Sequence, residues 1–221
     1  MKSDMELSSI LKFLRGLREN NNRPWFEAHR PQYQEARAQF EDYVTALIAG
    51  LARIQPLGGL SARDCVFRLN RDLRFSKDKT PYKPHMSAYI APGGRKSRRL
   101  GYYVHIEPGN RSMIAGGLHE PEPDQIALWR QAIDRNPTPF KKIVGTKAFK
   151  EHFGQVEGQK LKTAPRGYPR DHPELELLRL KQVTVARPFT DKDVQGARLL
   201  HDSFDTFKVM RPFLEYLGAL S

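Results

Sequence analysis

Leu100-Gly-Tyr-Tyr-Val-His-Ile-Glu107 decides the fold class. Successive side chains of an extended backbone point to opposite faces, so Leu100, Tyr102, Val104 and Ile106 share one face and Tyr103, His105 and Glu107 the other. An apolar face backed by a polar one reads as a half-buried antiparallel strand. The first face is core; the second is the candidate functional surface. Upstream, residues 65–69 and 85–91 are short β-branched or aromatic runs, and Pro92, Gly93 and Gly94 supply a turn. Downstream, Pro108-Gly109 turns the chain into a returning strand at 111–115. Gly116-Gly117 then releases it toward His119, where the sheet is expected to end.

Helices flank this sheet. Leu7, Ile10, Leu11, Phe13, Leu14 and Leu17 recur at three and four, the mark of an amphipathic helix that Asn20–Asn22 stop. Asn22 before Arg23-Pro24 reads as a cap with an early-turn proline, with Trp25 and Phe26 as core plugs. Pro31 opens a second helix whose stripe is Tyr33, Ala36, Phe40, Tyr43, Val44, Leu47, Ile48 and Leu51, ending near Gly58-Gly59. Ile126, Trp129, Ala132 and Ile133 mark a helix over 121–135, behind an acidic first turn. Residues 140–153 read as one or two short helices, 161–164 as extended and 173–178 as a helix. A late strand follows at 181–189, and a helical region starts at Asp191 and is broken by Pro212 before 213–220. The expectation is one α+β domain over 1–221, its central antiparallel, curved sheet flanked by N-terminal and C-terminal helices. Residues 7–59 form the N-terminal helical part, 60–119 the sheet with a basic loop, and 120–221 helices plus the late strand.

The composition suits a packed core: of 221 residues, 39% are hydrophobic and 28% charged. The longest apolar run, residues 44–52, is interrupted by Thr45 and Gly50, so no membrane insertion is expected. A single cysteine, Cys65, excludes an internal disulfide, and no secretion signal stands at the N-terminus, which implies a reducing, cytoplasmic setting. Cys65 reads as a buried, inert strand residue.

Formal charge is +12, and residues 63–99 alone carry eleven Lys and Arg against three acids. Within that region, Phe67-Arg-Leu-Asn-Arg-Asp-Leu-Arg-Phe-Ser-Lys-Asp-Lys-Thr-Pro-Tyr-Lys83 concentrates the cations in a strand that then becomes a loop. Arg68 and Arg74 share a face of an extended chain and Arg71 does not, so a broken strand is expected. Crowded cations are costly unless an anion meets them, and guanidinium geometry suits phosphate or carboxylate. Arg68, Arg71, Arg74, Lys77, Lys79 and Lys83 are therefore the candidate ligand-binding residues, with Asp72 and Asp78 orienting the arginines.

Four fragments in order, Asn20-Asn-Asn-Arg-Pro-Trp-Phe-Glu27, Arg71–Lys83, Tyr103-Val-His-Ile-Glu-Pro-Gly109 and Gly167-Tyr-Pro-Arg-Asp-His-Pro173, give the chain its resemblance to a known family. It resembles, over roughly residues 10–194, the bacterial and fungal family labelled domain of unknown function 2461. The resemblance implies a single α+β domain and brings no activity, substrate or catalytic residue with it.

His105 and Glu107 are the candidate catalytic pair, suited to acid/base work with Glu107 setting the tautomer of His105, or to plain structural hydrogen bonding. With His119 they have the composition of a two-histidine, one-carboxylate metal site, but nothing in the spacing requires one, and no metal or cofactor is assigned. Tyr103, His119, Tyr168 and Lys181 complete the candidate ligand contacts. The leading expectation is a phosphorylated or otherwise anionic small molecule in a basic cleft, bound and in some form acted on. The alternatives are a sequence-tolerant nucleic-acid binder using the 63–99 surface, including Arg95, Lys96, Arg98 and Arg99, and an interaction module for an acidic protein partner. No motif names a reaction or an oligomeric state.

Overall fold

The computed structural model describes residues 7–74 and 77–220; Phe75 and Ser76 of the basic stretch lie outside them. Its strands are β1 (Met86–Ile90), β2 (Tyr102–Ile106), β3 (Ser112–Leu118) and β4 (Val183–Phe189), in sheet order β1-β2-β3-β4. The sheet is antiparallel and mildly curved, in an α+β protein. Its helices, among the described residues, are α1 (Ser8–Glu19), α2 (Arg23–Ala28), α3 (Arg30–Leu51), α4 (Ala62–Cys65), α5 (Pro123–Arg135), α6 (Thr138–Val144), α7 (Lys147–Phe153), α8 (Leu175–Leu178), α9 (Asp191–Gln195) and α10 (Leu199–Gly218).

The chain divides into two compact units. The first comprises Met1–Arg98, Tyr102–Ile114 and Pro188–Asp205; the second comprises Arg99–Gly101, Ala115–Arg187 and Thr206–Ser221.

In the first unit α1 packs on α3, and α3 on β1. The expected stripes are the buried ones: Ile10, Leu11, Leu14 and Leu17 of α1, and Ala36, Phe40, Val44, Leu47 and Leu51 of α3, are each 0% exposed. The β1–β2 register pairs Met86 with Ile106, Ala88 with Val104 and Ile90 with Tyr102, all buried. Alternation then gives Ser87, paired with His105, and Tyr89, paired with Tyr103, to the opposite face. Asn22 caps α2 by accepting from the Trp25 N–H at 3.0 Å, and Pro24 sits in its first turn.

Residues 65–69 are not a strand. Ser61 and Asp64 open α4 here instead: the Asp64 carboxylate accepts from the Ser61 N–H at 3.1 Å, capping the N-terminus of a short helix whose last residue is the buried Cys65. Beyond it the chain makes only isolated bridges, Val66 to Ala88 and Asn70 to Tyr82, the broken strand that the spacing of the arginines suggests.

The second unit is built on aromatic contacts. Trp129 of α5 meets Phe140 of α6 edge-on, with ring centroids 4.7 Å apart at 78°, and Phe213 of α10 lies 6.2 Å from Phe140 and 5.8 Å from Phe149 of α7. Two expectations are corrected here. Gly116-Gly117 does not end the sheet: both lie inside β3. Gly117 has φ +121, and a Cβ there would stand 2.2 Å from the Val183 carbonyl oxygen of β4, so glycine permits a close backbone approach within the sheet. Pro212 does not break the last helix but lies inside α10. Buried Met210, Phe213, Leu214 and Leu217 on either side of it outweigh the one lost backbone hydrogen bond.

Candidate functional site

All the chemistry gathered around β2 belongs to the first unit. Tyr103, His105 and Glu107 share a face, as the alternation requires, and they form one hydrogen-bonded line. The Tyr103 hydroxyl lies 3.0 Å from His105 Nδ1, and His105 Nε2 lies 2.8 Å from Glu107 Oε2. His105 and Glu107 are buried, with 8% and 9% exposure. Burial holds the His105 imidazole below its ordinary value despite the neighbouring carboxylate, so it is neutral near pH 7. A neutral ring that donates Nε2–H to Glu107 accepts the Tyr103 hydroxyl proton at Nδ1.

Glu107 is held from two elements. Burial pushes its carboxyl up, but the hydrogen bonds from His105 and Arg111 pull it further down, so it is ionised. Arg18 of α1 donates to Oε1 at 2.9 Å and to the Pro108 carbonyl at 2.9 Å; Arg111 donates to Oε1 at 3.1 Å. The Arg18 side chain is 35% exposed and that of Arg111 65%, so Arg18 is the less screened partner. The following turn carries positive φ at Gly109 and Asn110, the pattern of primed hairpin turns. Asp191 at the start of α9 fixes that turn, accepting from the Gly109 N–H at 3.1 Å and the Asn110 N–H at 3.0 Å. Arg15 of α1 donates to the same carboxylate at 2.7 Å.

His85, Arg18 and Arg111 are the site residues that sequence reasoning missed. His85 sits one residue before β1, on the face of Ser87 and Tyr89, so alternation offered the signal; Arg18 had none, since Glu107 lies 89 residues away, and Arg111 had only its spacing of four residues from Glu107 across the turn. The His85 ring lies 4.2 Å from that of His105, and its Nδ1 is 3.9 Å from Glu107 Oε2. Burial, His105, Lys83 and Arg71 together lower the His85 imidazole to about 4, against the pull of Glu107. It is a neutral base at pH 7.

The basic hairpin arrives beside His85. Asn21 holds its returning arm, donating to the Tyr82 carbonyl at 2.9 Å and accepting from the Tyr82 N–H at 3.0 Å, while Phe26 stacks on Tyr82 at 4.2 Å. Lys83 lies over the Phe67 ring at 5.7 Å, and burial, Arg68 and Arg71 lower its ammonium. The local acids orient the arginines as expected. Arg71 pairs with Asp78 and donates to Thr80 Oγ1 at 2.7 Å, and Arg74 bonds Asp72 at 2.6 Å on an exposed rim. Lys79 donates to the Leu73 carbonyl at 3.1 Å, and Lys77 is exposed. Among the described residues, neither Arg68 nor Lys83 has a hydrogen-bonded or ion-paired carboxylate.

His119, Tyr168 and Lys181 belong to the second unit. His119 directly follows β3. Tyr168 lies edge-on to His172 with centroids 6.4 Å apart, and the Lys181 N–H donates to the Gln159 carbonyl at 2.7 Å. His172 accepts from the Glu174 N–H at 3.0 Å and stands 3.1 Å from Asp134, a helix-start arrangement. Cys65 is buried, its thiol pushed up to about 12 by burial and by Asp64. No described helix is long and apolar enough to cross a membrane.

The chain is thus an α+β protein whose first unit sets a histidine–carboxylate group beside an arginine- and lysine-rich hairpin. Residues 9–216 match the family described as conserved hypothetical protein (DUF2461), and the chain belongs to that family. No curated protein and no solved structure matches it.

Proposed function

We propose that the first unit binds an anionic small molecule, a phosphorylated one above all, on Arg68, Arg71 and Lys83, with His85 and the His105–Glu107 pair as the groups that act on it. One observation carries this reading. Arg68 and Lys83 make no hydrogen bond or ion pair to a carboxylate among the described residues, and Lys83 is partly buried and repelled by Arg68 and Arg71. A guanidinium and an ammonium held together against repulsion gain from a shared oxyanion through charge-assisted hydrogen bonds. Thr80 and the carboxylates of Asp72 and Asp78 set the arginine directions, and Arg74, Lys77 and Lys79 form the outer rim. A reducing, cytoplasmic setting suits a chain whose one cysteine is buried.

A thermal-shift panel of nucleotides, sugar phosphates, pyrophosphate and polyphosphate, repeated at raised salt, tests it. The reading requires a salt-resistant rise with a small phosphate ligand, lost in the Arg68→Ala/Lys83→Ala double variant while the unliganded melting curve stays cooperative. Stabilisation by long polyanions alone, vanishing with salt, would move the function to nucleic acid on Arg95, Lys96, Arg98 and Arg99. No shift with any anion would favour an acidic protein partner.

A further inference from the structure

Glu107 is approached differently at its two oxygens. Oε1 takes both arginines, Arg18 at 2.9 Å and Arg111 at 3.1 Å, while Oε2 faces His105 Nε2 at 2.8 Å and His85 Nδ1 at 3.9 Å. His105 is likewise held at its far nitrogen, Nδ1, by the Tyr103 hydroxyl at 3.0 Å. His85 has no hydrogen-bond partner among the described residues. One donor atom from each of the three residues lies within 4.8 Å of the others. Donors at about 2.0–2.2 Å from a first-row ion stand about 2.8–3.6 Å apart at right to tetrahedral angles. The observed 2.8 Å lies at the short end of that range and 3.9 Å just beyond its long end, so a small turn of the partly exposed His85 ring would bring its Nδ1 into it.

We propose that His85, His105 and Glu107 bind a divalent first-row transition ion through Nδ1, Nε2 and Oε2. The second atoms of Glu107 and His105 are already tied down, which is how carboxylate and imidazole ligands are oriented in metal sites. Ligation by Nε2 places the His105 proton on Nδ1, where it is donated to the Tyr103 oxygen, so no proton is lost from the pair. Two imidazoles and one carboxylate select zinc, cobalt or iron over magnesium and calcium, which require oxygen donors. Arg18, Arg111, Lys83 and Arg71 make the surroundings cationic, and Glu107 alone offsets them within the group. Three protein ligands leave positions for an oxygen of a bound anion, and such an anion supplies the missing negative charge. The inference shares His85, His105 and Glu107 with the anion reading and states how they would act.

The test uses the full chain stripped with chelator and titrated with Co2+ in phosphate-free buffer, followed by visible ligand-field absorption and equilibrium dialysis. The expected result is one equivalent bound with a protein-dependent band. Zn2+ should displace it and a large excess of Mg2+ should not. His105→Gln and His85→Gln should lose it, and His201→Gln should keep it; that last variant controls for the exposed group His201, Asp202 and Asp205. If His105→Gln fails to fold by circular dichroism, the more exposed His85→Gln carries the test. A folded wild type that binds no stoichiometric Co2+, or loss in His201→Gln with retention in His85→Gln, overturns the site. Pyrophosphate stabilisation of the stripped protein is read separately: if it persists without Co2+ binding, the metal site fails and the anion reading stands, and Co2+ binding without it gives the reverse.

Discussion

At the scale of single residues, Asp191 shows how a surface-edge carboxylate becomes structural. Burial pushes its carboxyl up, but the Asn110 N–H, Arg15 and the Gly109 N–H together hold it below 3.8. A carboxyl depressed in the folded state stabilises above its unfolded value and ceases to do so as pH falls through the folded one. Asp191→Asn should therefore cost about 1.5–3 kcal/mol at pH 7, the range for hydrogen bonds to charged groups. That gap should close as the pH drops below about 4. Denaturant midpoints of the two proteins against pH check this, and a gap constant down to pH 3 would contradict it. Cys65 gives a second prediction at this scale. With its thiol pushed up to about 12 by burial and Asp64, thiolate is negligible at pH 8, so iodoacetamide should label the native protein far more slowly than the denatured one. Equal rates would remove the basis for calling the residue inert.

At the scale of elements, legibility in the sequence followed the range of the forces. The β1–β2 faces were readable because alternation is a local, period-two signal that burial then enforces, and the α1 and α3 stripes were readable for the same reason. Residues 65–69 misled because β-branched and aromatic content is weaker evidence than the Ser61–Asp64 box that opens α4 and carries Cys65 into a helix. Gly116-Gly117 looked like a terminator because glycine marks both turns and close strand approaches, and only the partner strand decides between them. Gly117→Ala should cost at least about 1–3 kcal/mol, since it adds a Cβ 2.2 Å from the Val183 oxygen at a φ of +121. An unchanged denaturation midpoint would rule out that close approach. Pro212→Ala should do the opposite, restoring a backbone donor inside α10 and raising stability by up to about 3 kcal/mol. A loss of stability there would mean that the neighbouring buried side chains need the proline backbone.

At the scale of the molecule, the candidate site was half legible. His105, Glu107 and Tyr103 could be placed on one face from spacing alone, and the basic stretch could be named from its charge. That Asn21 and the Phe26–Tyr82 stack would bring Lys83 and His85 alongside them is a long-range event with no local signal. Arg18 meets Glu107 from 89 residues away, and no pattern in a helix face announces such a partner. What the fold adds is the meeting of two features: cations on a hairpin that have no ion-paired carboxylate among the described residues, and a buried histidine–carboxylate line. The central claim is that an anion bridges them. The most direct test is a two-dimensional amide NMR titration with pyrophosphate at physiological salt. The account predicts saturable shifts confined to residues 66–72, 80–88 and 103–111, absent in Arg68→Ala/Lys83→Ala. Shifts centred on residues 95–99, or none at saturating ligand, would contradict it.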